Sequence, residues 1–199
     1  MSKWFYKNKK IDRELSNKLG IHPAIIKILA DRGVETEEDI REFLAADLSK
    51  VSDGSELTDM EKGVSIIQDA IAAGKHIRII GDYDVDGVTS TYILYKGMIG
   101  LHAKCDKFIP HRIKDGYGLH ENAIRRARED GVEVILTCDN GIAATDAVSL
   151  AKEFGMTVVV TDHHEVPFVQ EPDGRRYILP AADAVIDPKR PEDHVFKEI

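Results

Sequence analysis

Two hydropathy rhythms divide the chain. Up to about residue 60, apolar positions recur at helical spacing inside polar stretches. Pro23 followed by Ala24-Ile25-Ile26-Lys27-Ile28-Leu29 predicts a helix stopped at Gly33. Thr36 before Glu37-Glu38-Asp39 predicts an N-cap and a second helix through Phe43-Leu44. Residues 52–58 read as a turn-rich linker, and Val64, Ile67, Ala70 and Ile71 place a helix over 60–73, ended by Gly74.

From Lys75 the rhythm changes. Short apolar runs at 77–80, 103–109, 132–137, 157–161 and 184–186 read as strands. Amphipathic stretches at 88–99, 119–130 and 144–154 separate them and read as helices. Alternation of this kind predicts an α/β domain, a mostly parallel sheet with helices on both faces. The expected division is a small helical appendage and linker over 1–59 and an α/β domain over 60–199.

Composition adds little until charge is considered. The 199 residues are 43% hydrophobic and carry 27 basic against 35 acidic side chains, a net charge of −8. A chain of this length buries roughly 70% of its unfolded surface without a disulfide or metal staple. The acidic balance argues against a protein that coats nucleic acid, but not against an enzyme whose carboxylates hold metal ions. The basic start MSKWFYKNKK is followed by no apolar run, so no secretory signal is expected. No run is long enough to span a membrane. Cys105 and Cys138 form no C-x-x-C pair and read as buried, reduced thiols of a cytoplasmic protein.

The candidate chemistry falls at three strand ends, where ligands of open α/β sheets bind. Asp82, Asp84 and Asp86 alternate before Gly87; Asp139-Asn140-Gly141 follows the 132–137 run; Asp162-His163-His164 follows 157–161. Three carboxylates in five residues repel one another unless a cation lies between them. An EF-hand loop fails, because its twelfth position holds Ile93 rather than Glu and a strand precedes it. Asp84-Val85-Asp86-Gly87-Val88 also resembles the nucleophile motif of haloacid-dehalogenase-type phosphatases, a reading that leaves the histidines unexplained. The zinc-peptidase pattern H-E-x-x-H fails at both His120 and His164. Neighbouring histidines on a strand end are expected to point apart, one toward metal and one toward substrate. Oxygen-rich ligation with imidazole suits one or two Mn²⁺ or Mg²⁺ ions better than tetrahedral zinc. Two such ions about 3.5–4 Å apart serve hydrolysis of phosphoesters.

GDYDVDGVTS, TCDNGI and TDHH, in that order and spacing, resemble motifs I, II and III of the DHH phosphoesterase superfamily. The segment from Ile109 to Leu119 and the N-terminal helices resemble its RecJ branch, the bacterial 5′→3′ exonucleases specific for single-stranded DNA. The resemblance implies metal ligands at Asp84, Asp86, Asp139 and His163, with Asp82 as an acidic neighbour. It implies that His164 contacts the scissile phosphate and that Asp162 orients its neighbours. Arg112 becomes the candidate phosphate clamp, and Tyr117 either stacks on a base or packs its loop.

Single-stranded DNA is the implied partner, with a single-stranded-DNA-binding protein or a helicase beside it. Within the superfamily, an oligoribonuclease, a cyclic-dinucleotide phosphodiesterase and a non-catalytic scaffold are the alternatives. Ile80 stands where some members carry a further histidine ligand, and the family's fourth motif, another aspartate, is expected beyond Ile199 together with a second domain. Asp187 reads as lying ahead of that motif rather than as a ligand. The charge count then takes on a place. Residues 1–60 hold 10 basic and 12 acidic side chains against 17 and 23 in 61–199, and five of the latter acids lie in the three clusters. Arg112, Lys114, Arg125, Arg126 and Arg128 remain for phosphates.

Overall fold

The computed structural model describes residues 13–45, 47, 49, 53–116 and 118–193. The chain divides into two compact units, Met1–Val51 and Ser52–Ile199.

The first unit is built from α1 (Arg13–Leu19), α2 (Pro23–Asp31) and α3 (Glu37–Ala45). Pro23 opens α2, where its missing N–H costs nothing, and the His22 ring accepts from the Ala24 N–H. Thr36 Oγ1 caps α3 by accepting from the Asp39 N–H at 3.1 Å. Ile26, Leu29 and Ile40 form a small buried core with Leu15, Leu19, Ile21 and Val34 against it. The short α1 is not set apart by its pattern, because seven residues give too few apolar positions to show a period.

The second unit holds α4 (Met60–Ala72), β1 (Ile77–Ile80), α5 (Val85–Gly100), β2 (Cys105–Phe108), α6 (Glu121–Glu129), β3 (Val134–Thr137), α7 (Thr145–Glu153), β4 (Thr157–Thr161), β5 (Phe168–Glu171), β6 (Gly174–Tyr177) and β7 (Ala184–Ile186). The segment before α4 is tied into this unit. Thr58 N donates to Asp193 Oδ2, and Asp59 Oδ2 accepts from Val185 N and from the Arg190 guanidinium. The division expected at 59/60 thus differs from the observed one, where 53–59 packs with the α/β domain.

Five strands form one parallel sheet in the order β2-β1-β3-β4-β7. Alternation along each strand sends side chains to two cores. Ile77, Ile79, Val134, Leu136, Val159, Ala184 and Ile186 meet α4 and α5. Ile80, Ile135, Val158, Val160 and Val185 meet α6 and α7. Both faces are covered, as a parallel sheet requires, which is why its strands read as unbroken apolar runs. The chain winds from β1 to β2 on one side, then crosses back to β3 on the other. The switch point therefore lies between β1 and β3, the place where such sheets open a crevice.

The antiparallel hairpin of β5 and β6 lies outside the elements expected from the pattern. Its signal is Asp173-Gly174 between Phe168-Val169 and Tyr177, but its residues are exposed, so no buried face marks it. The outer face of α5 shows Val85, Val88, Tyr92 and Ile93, and an apolar groove of about 760 Å³ runs between α4, α5 and the sheet. Of the two cysteines, Cys138 is buried, whereas Cys105 on edge strand β2 is only half-buried, against the expectation of two buried thiols. Among the described residues no helix is long and apolar enough to cross a membrane.

The two-core arrangement gives a direct test. Ile135→Ala, at a fully buried position of β3, is expected to cost about 2–5 kcal/mol in urea unfolding. Ile113→Ala, at an exposed loop position, is expected to change stability by less than about 0.5 kcal/mol.

Candidate metal centre

Strand register brings the acidic residues into line. Ile80 pairs with Thr137, Leu136 with Val159, and Val160 with Val185. Two residues beyond that row stand Asp82, Asp139, Asp162 and Asp187, one at each of four adjacent strand tips. All four are buried, Asp82 and Asp187 to 0% exposure.

The turn after β1 is compressed. Asp84 caps α5, its Oδ1 accepting from Gly87 N at 3.1 Å. The helix therefore begins at Val85, three residues earlier than the apolar pattern suggests, because the cap lies inside the acidic cluster. Asp86 falls in the first turn, where a carboxylate meets the positive helix end. A Cβ on Gly87 would lie 2.6 Å from the Asp82 carbonyl oxygen, so the motif needs glycine there. Thr91 Oγ1 donates to the Gly87 carbonyl at 2.7 Å and fixes the same turn from inside.

Asp139 adopts a left-handed backbone, φ 60°. Among non-glycine residues only Asn and Asp adopt this readily. Asn140 secures it: its Nδ2 donates to the carbonyls of Ile80 and Cys138, at 3.1 and 3.0 Å, joining the tips of β1 and β3. The sequence pattern makes Asn140 part of a turn; an amide directly beside the motif-II aspartate is the signal that points further.

Asp162 acts as a hub. Its Oδ2 accepts from Ile142 N at 2.9 Å. Its Oδ1 accepts from the backbone N–H of His163 at 2.7 Å and lies 2.6 Å from His164 Nδ1. The histidine rings do not diverge as expected. Their centroids are 4.7 Å apart, because β4 ends at Thr161 and strand alternation no longer governs them. His163 Nε2 lies 2.8 Å from Asp139 Oδ1 and 3.6 Å from exposed Asp86.

Two ligand-ready groups result. Asp82, Asp84 and Asp139 each bring a carboxylate oxygen within 4.8 Å of the others, and so do the donor atoms of Asp139, His163 and His164. Asp86 belongs to neither and stands at the rim beside His163. Arg112 lies over the Tyr83 ring at 5.3 Å, on the loop whose Gly118 N–H donates to Asp82 Oδ1. Tyr117 lies outside the described residues. A cleft of about 400 Å³ runs from His164 and Asp162 past Asn140 to the start of α7.

The electrostatics fit a cation. Burial pushes the Asp139 carboxyl up, with Asp84 and Asp86 adding repulsion. The Gly87 N–H holds Asp84 down. Burial alone would lower His164, but the Asp162 carboxylate outweighs it and holds the imidazole above its ordinary value. Asp82 Oδ2, Asp139 Oδ2 and Asp187 Oδ2 are buried with no hydrogen-bond partner. Orphaned carboxylate oxygens beside imidazole nitrogens form an oxygen-rich donor set suited to Mn²⁺ or Mg²⁺.

A doubly wound parallel sheet with a carboxylate–imidazole centre at its switch point defines the class of domain. The model of the DHH family, N-terminal domain, matches residues 76–195. The chain belongs to the DHH family. It is 39% identical over 188 residues to the single-stranded-DNA-specific exonuclease RecJ of Bacillus subtilis (strain 168), covering 94% of this chain and 23% of that protein. It is 32% identical over 183 residues to RecJ of Escherichia coli (strain K12), covering 92% and 30%. Among solved structures, exonuclease RecJ bound to manganese matches with a TM-score of 0.59 at 32% identity, over 69% of this chain and 33% of that one. RecJ of Thermus thermophilus in complex with Mn²⁺ matches with a TM-score of 0.58 at 26% identity, over 91% and 24%. The chain thus spans about a quarter to a third of the proteins it resembles. Membership displaces the haloacid-dehalogenase reading of Asp84.

Asp187 yields a pH test. Burial, with repulsion from Asp162, raises its carboxyl from 3.8 to about 6. The folded state therefore holds this proton to higher pH than the unfolded chain does. Its contribution to metal-free stability is full below pH 3.8 and is lost as pH rises through 6. Asp187→Asn is expected to remove that loss and to stabilise the metal-free protein at pH 7 by on the order of 2–3 kcal/mol in denaturant titrations.

Proposed function

We propose that this chain is the metal-binding part of an exonuclease that hydrolyses single-stranded DNA from the 5′ end, using Mn²⁺ or Mg²⁺. The observation that carries the reading is the shared position of Asp139, which belongs to both ligand-ready groups. A carboxylate common to two groups is the arrangement that bridges paired ions. The relatives named as single-stranded-DNA-specific exonucleases supply the substrate class.

Asp82, Asp84 and Asp139 would hold one cation, and Asp139 with His163 the second, Asp86 closing the rim. Held there, such ions would supply an acidified water and positive charge beside the phosphate. The protein's own groups do the rest. Asp162 fixes His164 through Nδ1 and favours its protonated form, which suits contact with a phosphate oxygen better than metal ligation. Arg112 grips non-bridging phosphate oxygens in a two-pronged contact. Asn140 and Gly87 hold Asp139 and Asp84 in place before any ligand arrives, so no reorganisation is needed during the reaction.

Asp139→Asn in the full-length protein keeps the left-handed backbone and removes the bridging charge. It is expected to abolish tight Mn²⁺ binding in calorimetry and to slow release of nucleotides from a 5′-phosphorylated oligonucleotide by about 100-fold or more. Undiminished turnover in this variant would overturn the reading. Cleavage of cyclic dinucleotides with single-stranded DNA untouched would move the assignment within the superfamily.

A further inference from the structure

We propose that Tyr83 is a positioning residue that fixes the guanidinium of Arg112 by stacking, leaving its N–H donors for the substrate phosphate. The inference rests on the nuclease reading above and adds a residue to it. Tyr83 sits between Asp82 and Asp84, and its ring lies 5.3 Å from the Arg112 guanidinium carbon. Among the described residues no carboxylate pairs with Arg112, although the ring it lies over stands between Asp82 and Asp84 in the chain.

Three features make this more than a chance contact. The segment carrying Arg112 is a self-capped turn: Asp115 Oδ2 accepts from His111 N at 2.8 Å, and the His111 carbonyl accepts from Lys114 N and Asp115 N. The same loop is bound to the metal centre at its other end, where Gly118 N donates to Asp82 Oδ1. Asp82 and Asp84 share one ligand-ready group, whereas the Tyr83 ring between them meets Arg112.

Stacking and ion pairing differ in what they leave available. A carboxylate partner would occupy the guanidinium edge that a phosphate needs. An aromatic face holds the cation by its plane and consumes no donor. Ordering a long arginine side chain beforehand also lowers the entropy lost when substrate binds. Tyr83 would therefore act on substrate affinity rather than on metal loading.

The test is a double-mutant cycle in the full-length protein, with a 5′-phosphorylated single-stranded oligonucleotide and Mn²⁺. Tyr83→Ala is expected to raise KM about three- to fivefold, the range of an exposed cation–π contact, with Mn²⁺ affinity unchanged in calorimetry. Tyr83→Phe keeps the ring and is expected to restore KM, while Tyr83→Leu is not. In an Arg112→Ala background, Tyr83→Ala is expected to add nothing. Additive effects of the two substitutions, full rescue by Leu, or a parallel fall in Mn²⁺ affinity would each sink the positioning role alone. A wild-type protein that leaves the oligonucleotide intact would sink the nuclease reading and this one together.

Discussion

Buried carboxylate oxygens without partners are the constraint around which the domain is arranged. Four aspartates occupy neighbouring strand tips, and three of them keep an oxygen that no protein group satisfies. In a low dielectric such groups must take up a proton or a cation. Burial moves the Asp139 and Asp187 carboxyls toward the first outcome. The convergence of Asp82, Asp84, Asp139 and the histidines is built for the second. Folding thus supplies an electrostatic penalty that a divalent ion removes.

Keeping that penalty in place takes rigid support. The parallel sheet sets the spacing of the tips, and the reversal of strand order opens the crevice between β1 and β3. Asn140 joins those two tips, while Asp162 holds both histidines and the Ile142 N–H. Thr91 and Gly87 press the start of α5 against the Asp82 backbone. At the opposite end of the sheet, Arg78 binds Asp106 and Asp130, so the same strand β1 is anchored where it begins.

Much of this was legible in the residues. Fully buried strands announce themselves as apolar runs, and glycines after Ala73, Asp130 and Phe154 marked helix ends. The acidic and histidine clusters stood out because their charges have no bland role beside such strands. What stayed hidden has identifiable causes. The start of α5 was obscured because Asp84 serves as cap and candidate ligand together. The β5–β6 hairpin buries nothing, so it carries no hydrophobic signature. The closeness of the two histidine rings depends on where β4 stops, which composition does not encode. Asn140 and Tyr83 gain meaning only from what folding places beside them.

The row of aspartates two residues past the register of the sheet restricts how the domain can change in length. Within a strand, one inserted or deleted residue exchanges inward and outward faces. At β1, β3 or β4 it would also carry a carboxylate out of line with its neighbours. Substitutions can accumulate one at a time, but frame slips in these strands cannot. Length variation is confined to segments that leave the row untouched, and the exposed stretch from Phe168 to Tyr177, between the β4 tip and β7, is where the architecture can grow or shrink without disturbing its chemistry.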